Sequence, residues 1–240
     1  MQLTDFNVLT FDCYGTLIDW ETGIYEAVQP LLTRSGKTLD RDQLLETFAR
    51  HEAAQESATP SMLYSELLGV VHSRMAKDWG VAPKPEEMEA FGRSIQNWPA
   101  FADSPAALQY LRRHYKLAIL SNVDRQSFEE SNARLQVEFD YIFTAQDIGS
   151  YKPDSRNFEY LIQKLGEAGF QKHKILHTAE SLFHDHAPAN AHGLASCLIY
   201  RRHGQQGFGA TMNPGNMPQY EFRFNSLADL VKAHQEAIRS

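Results

Sequence analysis

The sequence predicts an α/β fold: a Rossmann-like, doubly wound parallel sheet with an inserted all-helical cap. Three observations predict it. A short apolar strand opens the chain at residues 6–11, only helical periodicity follows as far as Trp98, and strands then alternate with helices to the C-terminus. Strands that alternate with helices form parallel sheets with right-handed crossovers. We therefore expect residues 1–16 and 102–240 to form the α/β core and residues 17–101 to form the cap.

The predicted cap depends on helical periodicity alone. Apolar residues recur three and four positions apart in four stretches, at 22–34, 40–55, 61–79 and 85–94. Prolines and glycines between these stretches mark the expected helix ends. The cap should therefore contain four helices.

In the core, strands and helices are predicted in alternation. Ser104 is the predicted N-cap of a helix that runs to residue 114. Further strands are expected at 116–120, 141–144, 175–178 and 195–200, and further helices at 125–134, 157–165 and 226–238. The Gly-rich residues 204–219 lack the strand-then-helix context of a nucleotide-binding fingerprint, so we interpret them as a surface loop.

Composition limits the classes of function. The net charge of -7 argues against a general nucleic-acid binder, which would carry a basic patch. No apolar stretch reaches the 18 or so residues of a membrane span, and the N-terminus lacks the features of a signal peptide. We expect a cytoplasmic protein with no membrane partner. Cys13 and Cys197 lie in apolar, strand-like segments and are expected to be buried thiols rather than catalytic groups.

Polar residues follow four predicted strands: Asp12, the pair Ser121 and Asn122, Lys152, and the segment 180–185 that ends at Asp185. Because the carboxyl ends of parallel strands meet at one edge of a sheet, these side chains should lie together. Asp12 can then act as a nucleophile, and Lys152 can keep it ionised by opposite-charge pairing. Ser121 and Thr16 can each hydrogen-bond to Asp12, and Asp185 can hold Lys152 and position a hydrolytic water.

In this order and spacing, the four elements resemble the four motifs of the haloacid dehalogenase (HAD) superfamily, over nearly the whole chain. The first motif, Asp12-Cys13-Tyr14-Gly15-Thr16-Leu17, is similar to that of the L-2-haloacid dehalogenase branch (type II). Tyr14 stands where the phosphatases of the superfamily carry an acid that protonates the leaving alkoxide. The resemblance implies that Asp12 attacks C2 of a small 2-substituted carboxylic acid and that hydrolysis of the ester gives a 2-hydroxy acid, with no metal or other cofactor.

The resemblance also implies substrate-binding residues. A cap arginine should grip the substrate carboxylate, and Arg41 and Arg50 in the second predicted helix are the candidates, with a solvated helix face as the alternative for either. Asn122 matches a position that contacts the leaving group. Tyr14 should narrow the pocket, and the aromatic residues Trp20, Tyr64 and Trp98 are candidates for its wall or for the core.

Several positions depart from the dehalogenase pattern. Phe158 stands where the family has Tyr, and Glu180 and Leu182 stand where it has Ser and Asn. Those groups help to bind substrate and activate water in the dehalogenases, so the resemblance makes Phe158 and Glu180 candidate substrate-binding residues. Glu180 is expected to pair with Lys152 or to act as a second acid or base. Three histidines lie nearby and can shuttle protons or serve as caps or surface residues, namely His177, His184 and His186. None has the helical spacing of a zinc site, so no metal is expected.

These departures indicate a substrate that differs from simple haloacids. The chain is also similar in length and motif type to L-azetidine-2-carboxylate hydrolase, an enzyme of the superfamily that expels a ring amine. An amine leaving group must be protonated, which Glu180 and the histidines suit.

Two other functions stay open at this point. A Mg²⁺-dependent small-molecule phosphatase would use Asp12 to take the phosphoryl group and Asp12 with Asp185 to hold the metal. A non-enzymatic interaction module would not need the full set of Asp12, Ser121, Lys152 and Asp185. A homodimer is expected by analogy with the dehalogenases.

Overall fold

The computed structural model describes residues 1–239 and is built around a six-stranded parallel sheet. Its strands are β1 (Val8–Phe11), β2 (Lys116–Ser121), β3 (Tyr141–Thr144), β4 (Ile175–Ala179), β5 (Ala195–Ile199) and β6 (Phe222–Phe224). Their order across the sheet is β3-β2-β1-β4-β5-β6, so the chain reverses its direction of winding between β1 and β4. Ligands bind at such a switch point in open α/β sheets. The Rossmann-like parallel sheet that the sequence predicts is confirmed.

Ten α-helices are described in the same residues. Those between β1 and β2 are α1 (Trp20–Ser35), α2 (Arg41–Ala58), α3 (Tyr64–Asp78), α4 (Pro85–Gly92) and α5 (Ser104–Leu111). The others are α6 (Arg125–Leu135), α7 (Ala145–Ile148), α8 (Ser155–Glu167), α9 (Ala187–Ala191) and α10 (Leu227–Ala237). A 3₁₀ helix at Arg93–Asn97 follows α4, and one π-helical turn at Leu182–His186 precedes α9. No helix of residues 1–239 combines the length and apolar character that crossing a bilayer requires.

The central strands are buried on both faces, and this explains their sequence. All four residues of β1 are buried, as are all five of β4, because helices cover both sides of a parallel sheet. Cys13 and Cys197 are buried free thiols, which confirms the prediction for them. Strand β6 was not predicted. It has three half-exposed or exposed residues at the edge of the sheet, which is too short for a period-2 pattern.

Ser104 is a second difference from the sequence prediction. It is the first residue of α5 rather than its N-cap, which is Asp103. The Ser104 hydroxyl donates instead to the Leu17 carbonyl oxygen at 2.9 Å. A buried bond to the segment after β1 therefore takes the place of a cap.

The helices α1 to α4 pack on one another and supply the predicted cap. Asp19 caps α1 by accepting from the Thr22 N–H, and Asp40 and Gln43 form a capping box at the start of α2. A Cβ on Gly23 would lie 2.2 Å from Cδ1 of Trp98, so only glycine lets α1 approach this ring. One apolar cluster continues from these helices into the sheet. The boundaries at residues 16/17 and 101/102 stay a prediction.

Candidate active site

Asp12 lies where β1 ends, at the centre of the sheet. Its N–H donates to the Thr178 carbonyl at 3.1 Å, which ties it to β4. The chain then turns at Gly15, whose φ of 90° favours glycine. This turn brings Thr16 back, so that its hydroxyl donates to Asp12 Oδ2 at 2.8 Å. One carboxylate oxygen is thus held by a residue four positions on.

Lys152 holds the other oxygen of Asp12. Its Nζ donates to Asp12 Oδ1 at 2.9 Å, to Asp185 Oδ1 at 2.6 Å and to the Leu120 carbonyl at 3.0 Å. The side chain is 1% exposed, and these three acceptors match the three donors of an ammonium group. Burial opposes the charge, but the two carboxylates outweigh it and raise the pKa of Lys152. Lys152 is therefore a fixed cation between Asp12 and Asp185.

The two carboxylates differ in electrostatics. Burial raises the pKa of Asp12, and the Asp185 charge adds to this, against the opposing effect of Lys152. Burial also disfavours the charge on Asp185, but Lys152 and His177 outweigh it, so the pKa of Asp185 lies well below its ordinary value. Asp185 is therefore a permanent anion, whereas Asp12 is the more basic of the two.

His177, in β4, forms a hydrogen bond with Asp185. Its Nε2 lies 2.8 Å from Asp185 Oδ1, and its Nδ1 lies 2.8 Å from the Thr10 hydroxyl. Because a carboxylate only accepts, the His177 Nε2–H donates to Asp185. Phe158 packs its edge against the His177 ring and is fully buried. Phe158 therefore faces the core and does not line the cavity, unlike the substrate-binding residue that the sequence predicts at this position.

A small cavity of about 30 Å³ lies between the carboxyl edge of the sheet and the cap helices. That volume holds roughly two water molecules, so only a small ligand fits without opening. The lining residues come from both parts of the chain: Asp12, Tyr14, Trp20, Glu52, Glu56, Tyr64, Ser121, Asn122, Lys152, Ser181, His184, Asp185 and Thr211. The cavity thus brings together Asp12, Tyr14, Ser121, Asn122, Lys152 and Asp185 of the predicted site.

Helix α2 contributes two carboxylates to this cavity, at Glu52 and Glu56. The Tyr64 hydroxyl donates a short hydrogen bond to Glu52, and Asn122 Nδ2 donates to Glu56 Oε1 at 3.0 Å. Burial raises the pKa of Glu52 to about 8. Burial and the neighbouring Glu52 raise the pKa of Glu56 well above its usual range. Neither residue is predicted from the sequence as part of the site. Their i, i+4 spacing, on the helix face that carries the buried Phe48, nevertheless indicates that both point inward.

The predicted cap arginines lie elsewhere. Arg50 is on the outer surface, where it pairs with Asp78 at 2.7 Å and its side chain is 58% exposed. Arg41 donates to the Thr22 hydroxyl and lies over the Tyr25 ring. Neither lines the cavity in which the sequence predicts that one of them grips a substrate carboxylate. The physical reason is helix rotation, because Arg50 stands about 200° around α2 from Glu52.

Tyr14 lines the cavity with its ring, but its hydroxyl points away from Asp12. The hydroxyl lies 2.9 Å from the Ser131 Oγ in α6, and burial raises its pKa well above the usual range. The ring packs edge-on against Trp98, which is fully buried, and Tyr64 and Trp20 complete the aromatic wall. Tyr14 therefore shapes the cavity without presenting an acid to it.

Glu180 lies beside the nucleophile turn but is not among the lining residues. Its backbone N–H donates to the Thr16 hydroxyl at 2.9 Å, and its Oε2 lies near Gly15. Burial, with the charges of Glu21 and Asp12, raises the pKa of Glu180 to about 8. The expected pair with Lys152 does not form, because the three donors of Lys152 have other partners.

The π-helical turn decides which residues before Asp185 reach the cavity. Ser181 and His184 line it, whereas Leu182 does not. Burial lowers the pKa of His184 to about 4, so the ring is neutral at pH 7. His177 and His186 are fully buried, and their ring nitrogens are hydrogen-bonded, so they are neither caps nor surface residues.

The loop at 204–219 also differs from a plain surface loop. Thr211 lines the cavity, and the Ala210 N–H donates to Glu21 of α1 at 3.0 Å. Arg202, just before the loop, is buried and pairs with Glu21 and Asp42 of the cap. The loop therefore connects the core to the cap. Its glycines predicted a turn but not this contact.

Three buried polar atoms at the cavity have no hydrogen-bond partner within residues 1–239: Ser121 Oγ, His184 Nε2 and Asp185 Oδ2. Buried polar atoms are normally satisfied, so these mark where polar atoms of water or a ligand belong. In the same residues, no three His, Cys, Asp or Glu side chains cluster as metal ligands would.

Comparison with known proteins agrees with this fold. The haloacid dehalogenase-like hydrolases match residues 6–178 as a family. The (S)-2-haloacid dehalogenase of Pseudomonas sp. (strain YL) is 28% identical over 198 residues, 80% of this chain and 82% of that enzyme. The (S)-2-haloacid dehalogenase of Pseudomonas putida is 25% identical over 207 residues, 82% of this chain and 85% of that enzyme. The crystal structure of a defluorinating L-2-haloacid dehalogenase superposes with a TM-score of 0.77 at 19% identity, over 100% of this chain and 98% of that one.

Proposed function

The chain belongs to the haloacid dehalogenase-like hydrolases, and we propose that it hydrolytically displaces a leaving group from C2 of a small L-2-substituted carboxylic acid. The product is a 2-hydroxy acid, and the intermediate is an ester on Asp12. The leaving group is a halide, as in the (S)-2-haloacid dehalogenases that this chain resembles, or a strained-ring amine.

The contacts of Asp12 and Tyr14 favour attack on carbon over phosphoryl transfer. Asp12 lines a small cavity with one oxygen held by Lys152 and the other by Thr16, while the Tyr14 hydroxyl is bound to Ser131. A phosphatase needs an acid two residues after the nucleophile to protonate an alkoxide. Tyr14 presents no acid there, because its hydroxyl is turned to Ser131 while its ring lines the cavity. Attack on carbon fits this arrangement, because a halide leaves without a proton.

The first step is displacement at C2. An oxygen of Asp12 forms the new C–O bond, and the leaving group departs with the electron pair of the broken bond. The raised pKa of Asp12 makes its carboxylate a better nucleophile than an ordinary aspartate, while Lys152 and Thr16 hold it in position. Fixing the attacking group supplies much of the rate enhancement of such a reaction.

The second step is hydrolysis of the ester at the Asp12 carbonyl. Asp185 Oδ2 has no hydrogen-bond partner among residues 1–239 and can accept a hydrogen bond from the attacking water. Lys152 stays beside the carbonyl oxygen and stabilises its developing negative charge. The free Ser121 hydroxyl can orient the water or a substrate oxygen. These two steps restore Asp12 and need no group beyond those of the chain.

Proton NMR with EDTA present tests the proposal. The protein is incubated separately with L-2-chloropropionate and L-azetidine-2-carboxylate, and we expect a 2-hydroxy acid from one of them. A single turnover in H₂¹⁸O should place the label in Asp12 and not in the first product, with Asp12→Asn as the inactive control. Release of phosphate from sugar phosphates only when Mg²⁺ is added, with no 2-hydroxy acid, would identify a phosphatase instead.

A further inference from the structure

The cavity has more negative than positive groups. Four carboxylates line it, those of Asp12, Asp185, Glu52 and Glu56, and Lys152 is the single lysine or arginine among the lining residues. His184 is neutral at pH 7 because burial lowers its pKa to about 4. A ligand whose charge is purely negative would therefore find no lysine or arginine among the lining residues that is not already paired with a carboxylate.

Among residues 1–239, Lys152 forms ion pairs only with the two core carboxylates. Lys152 bonds to Asp12 and Asp185 at 2.9 and 2.6 Å. Within residues 1–239, neither Glu52 nor Glu56 forms an ion pair with a lysine or an arginine; the nearest basic atom, His184 Nε2, lies 3.9 Å from Glu56 Oε2. Glu52 and Glu56 thus accept hydrogen bonds from Tyr64 and Asn122, but this pair has no counter-charge among the described residues.

The donors of Asn122 are also fully used. Its Nδ2 donates to Glu56 Oε1 at 3.0 Å and to the Lys152 carbonyl at 2.9 Å, and its Oδ1 accepts from the Lys152 N–H at 2.7 Å. An anion at this wall would meet the Glu56 carboxylate in place of a free amide N–H. This wall therefore presents hydrogen-bond acceptors to a ligand.

Unpartnered atoms indicate that a ligand belongs beside this pair. Ser121 Oγ and His184 Nε2 are buried, line the cavity and have no hydrogen-bond partner among the described residues. The Ser121 residue is 3% exposed and His184 is 8% exposed, so bulk water does not satisfy them. A ligand that contacts these atoms also lies near Glu52 and Glu56, because all four side chains line the same cavity.

We propose that Glu52 and Glu56 bind a protonated amine of the substrate, and that this nitrogen is the group displaced from C2. This rests on the proposed displacement at C2 and names its substrate class: a small cyclic 2-amino acid in place of a halo acid. A cation within the cavity lies next to Asp12 and therefore next to C2. Two carboxylates that share one ammonium group give it charge-assisted hydrogen bonds.

The proposed step is balanced. Asp12 forms a C–O bond to C2, the C2–N bond breaks, and its electron pair stays on nitrogen. The nitrogen, an ammonium before attack, departs as a neutral amine and takes a proton from whichever of Glu52 and Glu56 is protonated. Water then cleaves the ester, and the proton released in that step restores the pair.

The groups that face the pair come from several elements. They are Tyr64 of α3, Asn122 after β2, Tyr151 and Lys152 before α8, and His184 of the π-helical turn. Of these, only Lys152 is charged at neutral pH. Cation binding should therefore ionise the pair and release a proton, which a purely structural pair would not do.

Calorimetric titration of Asp12→Asn, which cannot form the ester, tests the inference. The probes are L-azetidine-2-carboxylate and cyclobutanecarboxylate, which share ring size and carboxylate but differ in the charged nitrogen. We expect the amino acid to bind about 10-fold more tightly or better, since a charge-assisted hydrogen bond contributes about 1.5–3 kcal/mol. Its binding heat should differ between buffers of unlike ionisation enthalpy, because a proton is released.

Added Glu52→Gln and Glu56→Gln substitutions should reduce this preference to about 2-fold or less. Glutamine keeps an oxygen that accepts from Tyr64 or Asn122, so the fold should persist, and circular dichroism checks this. Glu46→Gln is the matched control, an exposed glutamate of the same helix, and should leave the preference unchanged. Equal binding of the two probes, or a preference that survives both substitutions together, would overturn the inference.

The outcomes separate this inference from the proposed function. If the wild type forms an ester with L-2-chloropropionate but Asp12→Asn binds both ring acids equally, the displacement at C2 stands and the amine site is wrong. If the amino acid binds preferentially but no ester ever forms on Asp12, the amine site stands as a binding site and the displacement is wrong.

Discussion

Asn122 Nδ2 donates to Glu56 Oε1 at 3.0 Å, which joins the end of the central strand β2 to helix α2 of the cap. The same amide also accepts from and donates to the backbone of Lys152. One side chain therefore sets the positions of Glu56 in the cap, the Lys152 segment and the sheet edge together. This coupling makes the cavity sensitive to changes that do not touch Asp12.

Asn122→Leu should destabilise the protein by about 2–4 kcal/mol, because it leaves the Glu56 carboxyl and two backbone groups of Lys152 without partners. Urea unfolding followed by circular dichroism measures the change. Asn122→Asp should keep the acceptor but repel Glu56, so its deficit should grow as the pH rises. An unfolding midpoint equal to that of the wild type in both variants would contradict this role.

Lys152→Met should lower kcat/KM by about 10²- to 10³-fold or more, as loss of an oxyanion-stabilising donor does. It also removes the cation between Asp12 and Asp185, so the pKa of Asp12 should rise further. The raised pKa of Asp12 should place the acid limb of the wild-type rate profile above the ordinary aspartate value of 3.8, and the variant should move this limb to still higher pH. A lowered rate with an unshifted acid limb would mean that Lys152 does not set the ionisation of Asp12.

Tyr14→Phe should reduce kcat by less than about 3-fold and stability by about 1 kcal/mol, the usual contribution of one buried hydrogen bond. The variant loses the contact with Ser131 Oγ at 2.9 Å and a long one to the Ser127 carbonyl at 3.5 Å, and its ring still lines the cavity. Steady-state kinetics and thermal unfolding measure the two effects. If turnover instead fell by about 100-fold, within the range that general acid catalysis contributes, the hydroxyl would be acting as an acid.

Glu52→Gln should stabilise the protein at alkaline pH. The pKa of Glu52 rises from an ordinary 4.5 to about 8 on folding, so the folded state keeps a proton that the unfolded state loses. The stability of the wild type therefore falls as the pH rises between these values, and glutamine removes that loss. We expect little difference in Tm at pH 4 and a Tm higher by about 5 °C at pH 9, as measured by calorimetry. An equal difference at both pH values would show that the effect is not titration of Glu52.

Arg50→Ala should change KM by less than about 2-fold and stability by less than about 1 kcal/mol, because an exposed ion pair contributes little. Arg50 is on the outer face of α2 and pairs with Asp78. The same kinetic assay with Arg41→Ala provides the comparison. A KM increase of about 10-fold or more for either variant, equivalent to about 1.4 kcal/mol of binding, would restore the predicted role of a cap arginine.

Much of the core could be predicted from the sequence, because parallel strands bring their carboxyl ends to one edge. Asp12, Ser121, Lys152 and Asp185 lie far apart in the chain, but each follows a short apolar run. Once those runs are strands of one parallel sheet, their following residues must meet. Strand β6 escaped prediction because its three residues are too few to show a pattern.

The cap residues that line the cavity, Glu52 and Glu56, could not be predicted in the same way. Charged and polar residues occur all around α2, so periodicity shows which face carries Phe48 but not which neighbouring polar residues point at the sheet edge. The orientation of the Tyr14 hydroxyl likewise depends on Ser131, 117 residues along the chain. The sequence alone determined the parallel sheet and the placement of Asp12 and Lys152 at its carboxyl edge, since these follow from local patterns and strand order. Only the tertiary structure decided that Glu52 and Glu56, and not Arg50, face Asp12, because the rotation of a helix is set by its packing against the rest of the molecule.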